Sequence, residues 1–505
     1  MKSGKEIKVL DKNAEYYGVP NIELMENAGK GIADFIKNEL KPKNKEIIFF
    51  CGIGNNGGDG FVAARHLAEN YNVTVLLIGN EKDIRTHISK ENFQKLKKTN
   101  IELFNLESLK NTDEILLKKG IIIDSMLGIG LSGELREPYY TIVKKIGSVK
   151  NKIIVSVDVP TGFGTNTTIK PDYTITFHDI KNGMNKKNSG NIKIVDIGIP
   201  KKAMEYVGPG ELITYYPKPK KESHKGDNGV VLVIGGGPYI GAPALSGLAA
   251  LRTGSDLVLV VTPKKVARAI TSFSPQIIKS LRLSKKISKL SPNLIVKELT
   301  DEDILVSEDI KIVNTLISKA DSVIIGPGLG SEKSTKNTIE KAIQRCVKLK
   351  KAMVIDADAI QVVGQKPEII QNTPTVLTPH AGEFKELTKQ KLKDDLENRK
   401  KIVKQWAKKL GITILLKGPK DIISNGMDTK LNDIHNPAMT VGGTGDVLAG
   451  IIGSLLSKDI DPYNAARIGI FINGTAGNNA FNKRSYGLVA TDIIEEIPTV
   501  LKKYL

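Results

Sequence analysis

The sequence predicts an α/β protein with two doubly wound domains, each a sheet covered by helices on both faces. Apolar runs bounded by glycine and proline alternate with longer charged stretches, which is the pattern of strands separated by helices. Most of these runs are continuously apolar, as expected for parallel strands that are buried on both faces. A proline- and lysine-rich stretch near the middle of the chain separates two series of such runs.

The first series of apolar runs follows an opening segment with helical spacing. The predicted strands are residues 47–50, 73–78, 121–123, 153–157, 173–177 and 192–195. We expect them to form one parallel sheet, and residues 1–210 to form the first domain.

The boundary between the domains is predicted from composition. A Gly-Pro-Gly sequence at 208–210 is followed by prolines and lysines at 217–223, so residues 211–223 are expected to be a linker. The second domain is expected to cover residues 224–505. Its predicted strands are residues 230–234, 257–261, 322–325, 352–355, 375–377 and 412–416.

The composition is that of a soluble globular protein. With 505 residues, 40% hydrophobic and 26% charged, the chain can bury two substantial cores. It begins without the apolar segment of a secretory signal and has no stretch long enough to span a membrane. Two distant cysteines, Cys51 and Cys346, cannot build a disulfide framework, so we expect a cytoplasmic protein with no membrane partner.

The formal net charge of +19 raises the question of a nucleic-acid partner. Lysines recur in short runs along the whole chain, often interleaved with acids at helical spacing, and only 5% of the residues are aromatic. This distribution indicates a lysine-rich surface and predicts no nucleic-acid partner; a nucleic-acid-binding face is the less favoured alternative.

The first candidate site is the glycine loop at residues 52–57, Gly-Ile-Gly-Asn-Asn-Gly. It matches the GxGxxG pattern of dinucleotide-binding loops and lies between a predicted strand and a predicted helix. However, Asn55, Asn56 and Asp59 place side-chain oxygens where a pyrophosphate needs only backbone N–H groups. The loop could instead bind polar groups of a substrate, or hold a hard cation with its asparagine oxygens.

Two acids at the ends of neighbouring predicted strands point to the same edge of the sheet. Asp124 and Asp158 each follow an apolar run, and open α/β sheets bind their ligands at this edge. A single acid at such a position is often only a helix cap. Two acids beside an asparagine-rich loop favour a binding site.

Five ordered motifs in this domain resemble the N-terminal domain of the YjeF family, the NAD(P)H-hydrate epimerases. The motifs are residues 24–29, 54–60, 124–128, 158–162 and 196–200. Together they are far more specific than the glycine loop alone. The resemblance implies a Rossmann-like three-layer domain.

The same resemblance implies a set of site residues. The substrate would be contacted by Asn55, Asn56, Gly57, Gly58, Asp59 and Asp158 and by a closing loop of Gly128, Ile129, Gly130, Leu131, Ser132, Gly133 and Glu134. A potassium ion would be held by Asn56, Asp124 and Thr161. Ile129 stands where the family often has a hydroxyl residue. We expect Asp158 to be catalytic, because epimerisation at C6 of a hydrated nicotinamide ring needs a group that assists departure and return of the oxygen.

The second candidate site is the glycine-rich segment at residues 441–450. Its small residues let backbone N–H groups gather at a helix start, with Asp446 beside them. In phosphoryl transfer such amides stabilise the phosphoryl oxygens while the carboxylate takes a proton from the attacking hydroxyl. The alternative is an ordinary glycine-rich helix cap.

Further motifs make residues 224–500 resemble the ADP- or ATP-dependent NAD(P)H-hydrate dehydratases, a branch of the ribokinase-like fold. The motifs are residues 235–242, 326–330, 356–359, 378–383, 417–419 and 436–439. By this resemblance the hydrate would be contacted by Ala242, Gly330, His380 and Asp446, with Asp446 catalytic. The adenine nucleotide would be contacted by Lys417, Gly418, Pro419, Lys420, Asp421 and Gly445. Asp421 departs from the threonine that is common at its position.

Three side chains of this domain keep a second interpretation. His380 has no neighbouring histidine or cysteine and could simply satisfy a turn. Asp356 and Asp358 follow a predicted strand and could cap the next helix, or one of them could orient magnesium through water.

Together the two resemblances imply a bifunctional metabolite-repair enzyme. The first domain would equilibrate the R and S hydrates of NADH and NADPH. The second would use ADP or ATP, with magnesium, to dehydrate the S hydrate and release phosphate. The alternatives are a ribokinase-like small-molecule kinase, a non-catalytic first domain and a nicotinamide-dependent oxidoreductase. We also expect a homo-oligomer, whereas the preferred nucleotide and hydrate stay open.

Overall fold

The computed structural model describes residues 3–43, 45–105, 115–116, 120–130, 133–272 and 293–505. The chain forms two compact units, Met1–Met204 and Glu205–Leu505. None of the helices in these described ranges combines the length and the hydropathy that a membrane span requires.

The first unit is built on a seven-stranded sheet. Its strands are β1 Glu46–Cys51, β2 Asn72–Leu77, β3 Glu102–Asn105, β4 Ile121–Ser125, β5 Ile154–Val157, β6 Tyr173–Phe177 and β7 Asn191–Val195. The order is β3-β2-β1-β4-β5-β6-β7, with every pair parallel. The direction of strand progression reverses between β1 and β4, and open α/β sheets bind their ligands at such a switch point.

Helices cover both faces of this sheet. They are α1 Gly4–Tyr16, α2 Asn21–Phe35, α3 Asn55–Leu67, α4 His87–Lys97, α5 Tyr139–Ser148, α6 Lys186–Ser189 and α7 Lys201–Glu205, with a π-helical turn at Ile36–Leu40. Alternate residues of β1 belong to different cores: Ile47 and Phe49 pack on one face, whereas Ile48 and Phe50 pack on the other. This alternation explains why the run is continuously apolar.

The second unit is built on a nine-stranded sheet. Its strands are β8 Val230–Ile234, β9 Leu257–Thr262, β10 Leu294–Glu298, β11 Ser322–Ile325, β12 Ala352–Ile355, β13 Thr375–Leu377, β14 Thr413–Leu416, β15 Asp421–Ser424 and β16 Thr429–Asn432. The order is β10-β9-β8-β11-β12-β13-β14-β15-β16. The strands are parallel as far as β14, whereas β15 and β16 add antiparallel pairs at one edge. The switch point lies between β8 and β11.

Helices again cover both faces, and alternate β8 residues serve two cores. The helices are α8 Pro209–Tyr215, α9 Ala242–Arg252, α10 Lys264–Ser272, α11 Ile310–Lys319, α12 Lys333–Lys348, α13 Asp358–Gln365, α14 Ala381–Thr388, α15 Leu396–Leu410, α16 Thr444–Leu456, α17 Pro462–Arg484 and α18 Ala490–Tyr504. Short 3-10 helices occur at Glu81–Asp83, Ser307–Asp309, Pro367–Ile370, Pro437–Thr440 and Ser485–Gly487.

The segment between the units differs from the expected linker. The second unit begins at Glu205, and residues 211–215 of the predicted linker belong to helix α8. This helix is anchored in the second unit, because buried Glu211 forms an ion pair with buried Arg467 at 3.5 Å. Pro209 is the first residue of the helix, where a backbone N–H has no partner within the helix. The Gly-Pro-Gly sequence therefore marks the start of a helix and not the start of a linker.

Candidate active sites

The first candidate site lies at the carboxyl edge of the first sheet, at its switch point. The Gly52 N–H donates to the Ser125 carbonyl at 3.0 Å, and the Ser125 hydroxyl donates to the Asn56 carbonyl. Helix α3 begins at Asn55, within the predicted glycine loop, and its N-cap Gly54 provides no side-chain hydrogen bond. The amides of its first turn are therefore left without a side-chain cap.

The glycines of the loop are required by close packing. A Cβ on Gly57 would lie 1.8 Å from the Gly52 carbonyl oxygen, and one on Gly58 would lie 2.6 Å from the Met25 methyl group. Their side-chain positions thus face the protein interior. Asn55 is exposed, and its Oδ1 accepts a hydrogen bond from the Thr86 hydroxyl at 2.7 Å.

Asp124 forms a buried hydrogen-bonded group with Thr161. Its carboxylate accepts from the Thr161 hydroxyl at 2.6 Å, the Thr161 N–H at 2.9 Å and the Ser156 hydroxyl at 2.8 Å. Burial raises the pKa of Asp124 above its usual value, although the hydrogen bonds from Thr161 oppose that shift. Two of the three residues expected at the potassium site are therefore in direct contact.

Asn56, the third of these residues, lies close to Asp158. A Cβ added to Gly128 would be 3.6 Å from Asp158 Oδ2 and 3.7 Å from Asn56 Cβ, so these three residues meet at one place. The Asn56 amide nitrogen is buried and has no hydrogen-bond partner among the described residues. An unsatisfied buried amide at a sheet edge is typical of a site that binds a ligand or ion.

Asp158 belongs to a cluster of charged side chains. Its Oδ1 forms an ion pair with Lys181, whose side chain is only 2% exposed and also donates to the Thr176 hydroxyl at 2.7 Å. Asp11 on α1 and Asp59 on α3 add two more carboxyl groups. Burial, and then the charge of Asp158, raise the pKa of Asp11 to about 6 and that of Asp59 well above its usual value.

Sequence reasoning missed Asp11 and Lys181. Lys181 follows β6 at the same sheet edge as Asp158, so the strand-end argument used for Asp124 and Asp158 could have found it. Asp11 had no such signal, because it is one acid on an ordinary N-terminal helix.

The predicted closing loop of residues 128–134 is only partly described. Leu131 and Ser132 lie outside the described residues. A Cβ on Gly4 would lie 3.1 Å from the Ile129 side chain, which places the start of α1 against this loop. Glu134 accepts from the Asn166 backbone and side chain at 3.2 and 3.0 Å, whereas Cβ atoms on Gly130 and Gly133 would have no described residue within 4 Å.

The second candidate site is a cavity of about 340 Å³ at the switch point of the second sheet. Its lining residues are Tyr239, Gly241, Ala242, Leu245, Gly328, Ala357, Asp358, Gly442, Gly443 and Asp446. The structure therefore brings the predicted residues Ala242 and Asp446 together. Gly330 and His380 do not line this cavity, although the Gly330 N–H donates to the Asp358 carboxylate at 2.8 Å.

Asp446 lies in the first turn of α16. The N-cap of this helix, Gly443, has a φ of 94° and gives no side-chain hydrogen bond, so the first amides are uncapped beside the cavity. Burial raises the pKa of Asp446 to about 7; Asp356 and Asp358 add to the shift, and Lys417 opposes it. A carboxylate of this kind is a much better proton acceptor near neutral pH than an ordinary aspartate.

Lys417 lies between the phosphate-binding candidate Gly445 and a buried carboxylate. Its Nζ pairs with Asp356 Oδ1 at 2.9 Å and would lie 3.4 Å from a Cβ on Gly445. Burial opposes the charge on Lys417, but Asp356 and Glu383 together outweigh burial and raise its pKa. The lysine therefore stays positively charged beside the uncapped end of α16.

His380 serves as the N-cap of helix α14. Its Nδ1 accepts the N–H groups of Gly382 and Glu383 at 3.0 and 3.2 Å, and Glu383 in turn accepts the His380 N–H at 2.8 Å. This is the turn-satisfying role considered from the sequence. Since Nδ1 accepts, the proton of the neutral ring lies on Nε2, which is 3.4 Å from Glu383 Oε1, and the side chain is 61% exposed.

Asp421, which stands where the resembling dehydratases commonly have threonine, has a structural role. Its carboxylate is buried and accepts from the Gly418 N–H at 3.0 Å and from the Asn432 side chain at 2.9 Å. The acid therefore holds the turn after Lys417 in place and points away from solvent. Next to it, the Pro419 carbonyl accepts from His435 at 2.9 Å, and Lys420 is exposed.

In the part of the chain that the structure describes, no group of three or more histidine, cysteine, aspartate or glutamate side chains is arranged to hold a metal ion. Any cation at these sites would therefore rely partly on amide, hydroxyl or water oxygens, as potassium and magnesium do.

Comparison with protein families gives two matches along the chain. Residues 21–183 match the model of the YjeF-related protein N-terminus, and residues 230–499 match the model of NAD(P)H-hydrate dehydratase. Each match falls within one of the two compact units.

Relatives similar over the whole length are also found. A bifunctional NAD(P)H-hydrate repair enzyme from Archaeoglobus fulgidus is 38% identical, covering 99% of this chain and 98% of the relative. Its counterpart from Pyrobaculum aerophilum is 37% identical, covering 99% and 97%. A crystal structure of an ADP/ATP-dependent NAD(P)H-hydrate dehydratase from Bacillus subtilis with ATP and Mg²⁺ is 25% identical, covers 60% of this chain and 99% of that chain, and has a TM-score of 0.46.

Proposed function

The chain belongs to the family of bifunctional NAD(P)H-hydrate repair enzymes, and from this we propose how its two units share the reaction. The protein repairs NADH and NADPH that have gained water across a double bond of the nicotinamide ring. It is an epimerase for the R and S hydrates and an ADP- or ATP-dependent dehydratase for the S hydrate. We assign epimerisation to the first unit and dehydration to the second.

In the first unit we propose Asp158 as the catalytic residue. Epimerisation at C6 breaks the carbon–oxygen bond with help from the ring nitrogen, and water returns on the other face. A carboxyl group beside C6 can give a proton to the departing oxygen and take one from the returning water. The meeting of Asp158 with Gly128 and Asn56 supports this assignment, and the ion pair with Lys181 fixes the orientation of the carboxylate.

Potassium fits the oxygen-rich group beside Asp158. The Thr161 hydroxyl gives its proton to Asp124 and accepts the Leu127 N–H at 3.0 Å, which leaves one lone pair of its oxygen for an ion. Turning the Asn56 amide by 180° would replace its unpartnered nitrogen with an oxygen. We propose that Asn56, Asp124 and Thr161 would hold the ion, which would supply a fixed positive charge when bound.

In the second unit we propose Asp446 as the catalytic base, and its position in the cavity wall at the uncapped start of α16 is the observation that carries this proposal. Asp446 takes the proton of the C6 hydroxyl, whose oxygen forms a bond to the terminal phosphorus as the nucleotide's bridging bond breaks. Backbone amides and Lys417 stabilise the transferred group. Phosphate then leaves C6 while C5 loses a proton, which re-forms the double bond.

Magnesium fits the carboxylates beside this site. Asp356 uses one oxygen for Lys417 and Asp358 uses one for the Gly330 N–H, so each has a second oxygen for a hydrated ion. We propose that these two residues would hold magnesium, which would screen the charge of the nucleotide phosphates when bound.

We propose the remaining binding residues from the resemblance to the two families. For the first site, the hydrate contacts are Asn55, Asn56, Gly57, Gly58, Asp59, Gly128, Ile129, Gly130, Leu131, Ser132, Gly133 and Glu134. For the second, they are Ala242, Gly330, His380 and Asp446, with the nucleotide at Lys417, Gly418, Pro419, Lys420 and Gly445. Because the carboxylate of Asp421 points inward, we do not propose a direct nucleotide contact from that side chain.

We also propose that the protein acts in the cytoplasm as a homo-oligomer, on small molecules and without a nucleic-acid or membrane partner. Light scattering of the purified chain tests its state of association.

The experiment that tests the proposed division supplies purified R and S hydrates with each nucleotide in turn. We expect Asp446→Ala to stop phosphate release and recovery of reduced-nicotinamide absorbance. Asp158→Ala should stop consumption of the R hydrate only. A stable phosphorylated product from the unchanged chain would instead indicate a kinase, and R consumption that persists in Asp158→Ala would refute the assignment of Asp158.

A further inference from the structure

Tyr239 is a large aromatic side chain that the mechanism above does not use. It lies in the loop between β8 and α9, is 66% exposed, and lines the same cavity as Asp446 and Ala242. A ring this exposed buries little apolar surface in the protein itself, so its contribution to folding is small. Its place at the cavity instead makes it available to a ligand.

The position of this ring is set by an interlocked backbone. A Cβ on Gly328 would lie 2.5 Å from the Tyr239 carbonyl oxygen, and one on Gly330 would lie 2.9 Å from the Pro238 ring. The Gly236 N–H also donates to the Pro327 carbonyl at 2.8 Å. The loops that follow β8 and β11 therefore pack backbone against backbone, and this contact holds Tyr239 at the cavity wall.

The walls of the cavity indicate which part of the substrate it receives. The cavity has a volume of about 340 Å³ and is open to solvent. Because Asp446 lies in the wall, the ring whose hydroxyl reacts must enter here. Among the residues that the structure describes, none of 417–421, where the nucleotide is placed, lines the cavity.

We propose that Tyr239 is a specificity-determining residue of the dehydration site, whose ring packs against the hydrated nicotinamide ring and holds its hydroxyl toward Asp446. This inference rests on the function proposed above. The hydrated ring keeps a planar conjugated amide, and an aromatic side chain packs well on such a group without needing a hydrogen bond.

The test compares Tyr239→Ala and Tyr239→Phe with the unchanged chain. Stacking of a planar ring on an aromatic side chain corresponds to roughly a five- to hundredfold change in affinity. We therefore expect Tyr239→Ala to raise KM for the S hydrate by about tenfold, with KM for the nucleotide unchanged. Tyr239→Phe should restore the normal KM, because the phenyl face is enough. Tyr486→Ala, which removes another exposed tyrosine (78%) that does not line the cavity, is the control and should change neither KM.

A shortened substrate identifies which half of the coenzyme Tyr239 touches. The hydrate of reduced nicotinamide mononucleotide lacks the adenosine half, and its KM, or its inhibition constant against the full hydrate, is measured with each variant. We expect the same fold-change as with the full hydrate. Loss of the effect with the shortened hydrate would overturn the inference, since Tyr239 would then contact the adenosine half.

Two other results would also overturn it. A rise in KM for the nucleotide alone would place the nucleotide on Tyr239, and unchanged constants in Tyr239→Ala would show that the ring contacts neither ligand. If the unchanged chain itself fails to turn over the S hydrate with any nucleotide, the proposed function is refuted, and this inference falls with it.

Discussion

The pH dependence of dehydration tests the role of Asp446 most directly. Burial together with Asp356 and Asp358 raises the pKa of this carboxyl group to about 7. A general base works only when it is deprotonated, and at this pKa about a tenth of the molecules are ready at pH 6 and about nine-tenths at pH 8. We therefore expect kcat/KM for the S hydrate to rise about tenfold between pH 6 and pH 8.

The assay follows recovery of reduced-nicotinamide absorbance at low concentrations of S hydrate and a fixed concentration of nucleotide. The nucleotide itself also titrates in this pH range. The control is therefore a variant in which the surroundings of Asp446 differ, since the nucleotide titrates in the same way with both proteins. Asp358→Asn removes one negative charge near Asp446 while its amide oxygen can still accept the Gly330 N–H. Because Asp358 is also a proposed magnesium ligand, each profile is measured at a magnesium concentration that saturates the variant. We expect the acid limb of the profile to move to lower pH in this variant.

Two results would refute the reasoning. A rate that is flat from pH 5 to pH 8 would mean that Asp446 titrates like an ordinary aspartate, or that it is not the base. An acid limb at the same pH in Asp358→Asn would mean that the limb belongs to the nucleotide. Asp446→Asn should lower kcat by about 10²–10⁴, the usual contribution of a general base.

Three further predictions concern Thr161, Lys181 and Asp446. Thr161→Val should destabilise the first unit by about 1.5–3 kcal/mol in thermal unfolding, because the buried carboxylate of Asp124 loses a hydrogen bond. Thr161→Ser keeps the hydroxyl and should not destabilise the unit. Lys181→Met leaves the carboxylate of Asp158 without its ion-pair partner, so it should destabilise this unit by about 3 kcal/mol and slow consumption of the R hydrate. Unaffected epimerisation would contradict the proposal that Lys181 orients Asp158. Folding raises the pKa of Asp446 and so disfavours its charged form. The contribution of this group to the free energy of unfolding therefore falls as pH rises from about 4 to about 7. Asp446→Asn should thus be more stable than the unchanged chain by about 4 kcal/mol at pH 8 and equal to it at pH 3, whereas a pH-independent difference in denaturant unfolding would exclude this cause.

The central strands were predictable because their chemistry is uniform. Each predicted run forms a strand, and most of these runs are continuously apolar, as expected for parallel strands covered on both faces. The additional strands β3, β10, β15 and β16 lie at or near the sheet edges. Each of them contains a charged residue, such as Lys297 of β10 and the acid that begins β15, so no continuous apolar run marks them.

The sites were predictable only where they follow from strand order. Asp124 and Asp158 end neighbouring parallel strands, so the sheet itself brings them to one edge. The pairing of Lys417 with Asp356 joins residues 61 positions apart, and the sequence alone gives no register for it. The inward turn of Asp421 likewise depends on Asn432 of the neighbouring antiparallel strand β16, which was not predicted.

The two sites use a buried lysine in opposite ways, and this difference fits their chemistry. In the first unit Lys181 pairs with Asp158 itself, the residue proposed to act on C6. In the second unit Lys417 pairs with Asp356. Among the described residues Asp446 has no direct ion-pair partner, and burial raises its pKa to about 7. A group that must pass protons in both directions benefits from a fixed orientation, whereas a base that must remove a proton from an alcohol benefits from a high pKa. Moving the lysine's pairing from Asp356 to Asp446 would therefore lower the basicity of Asp446, even though every residue of the site would still be present.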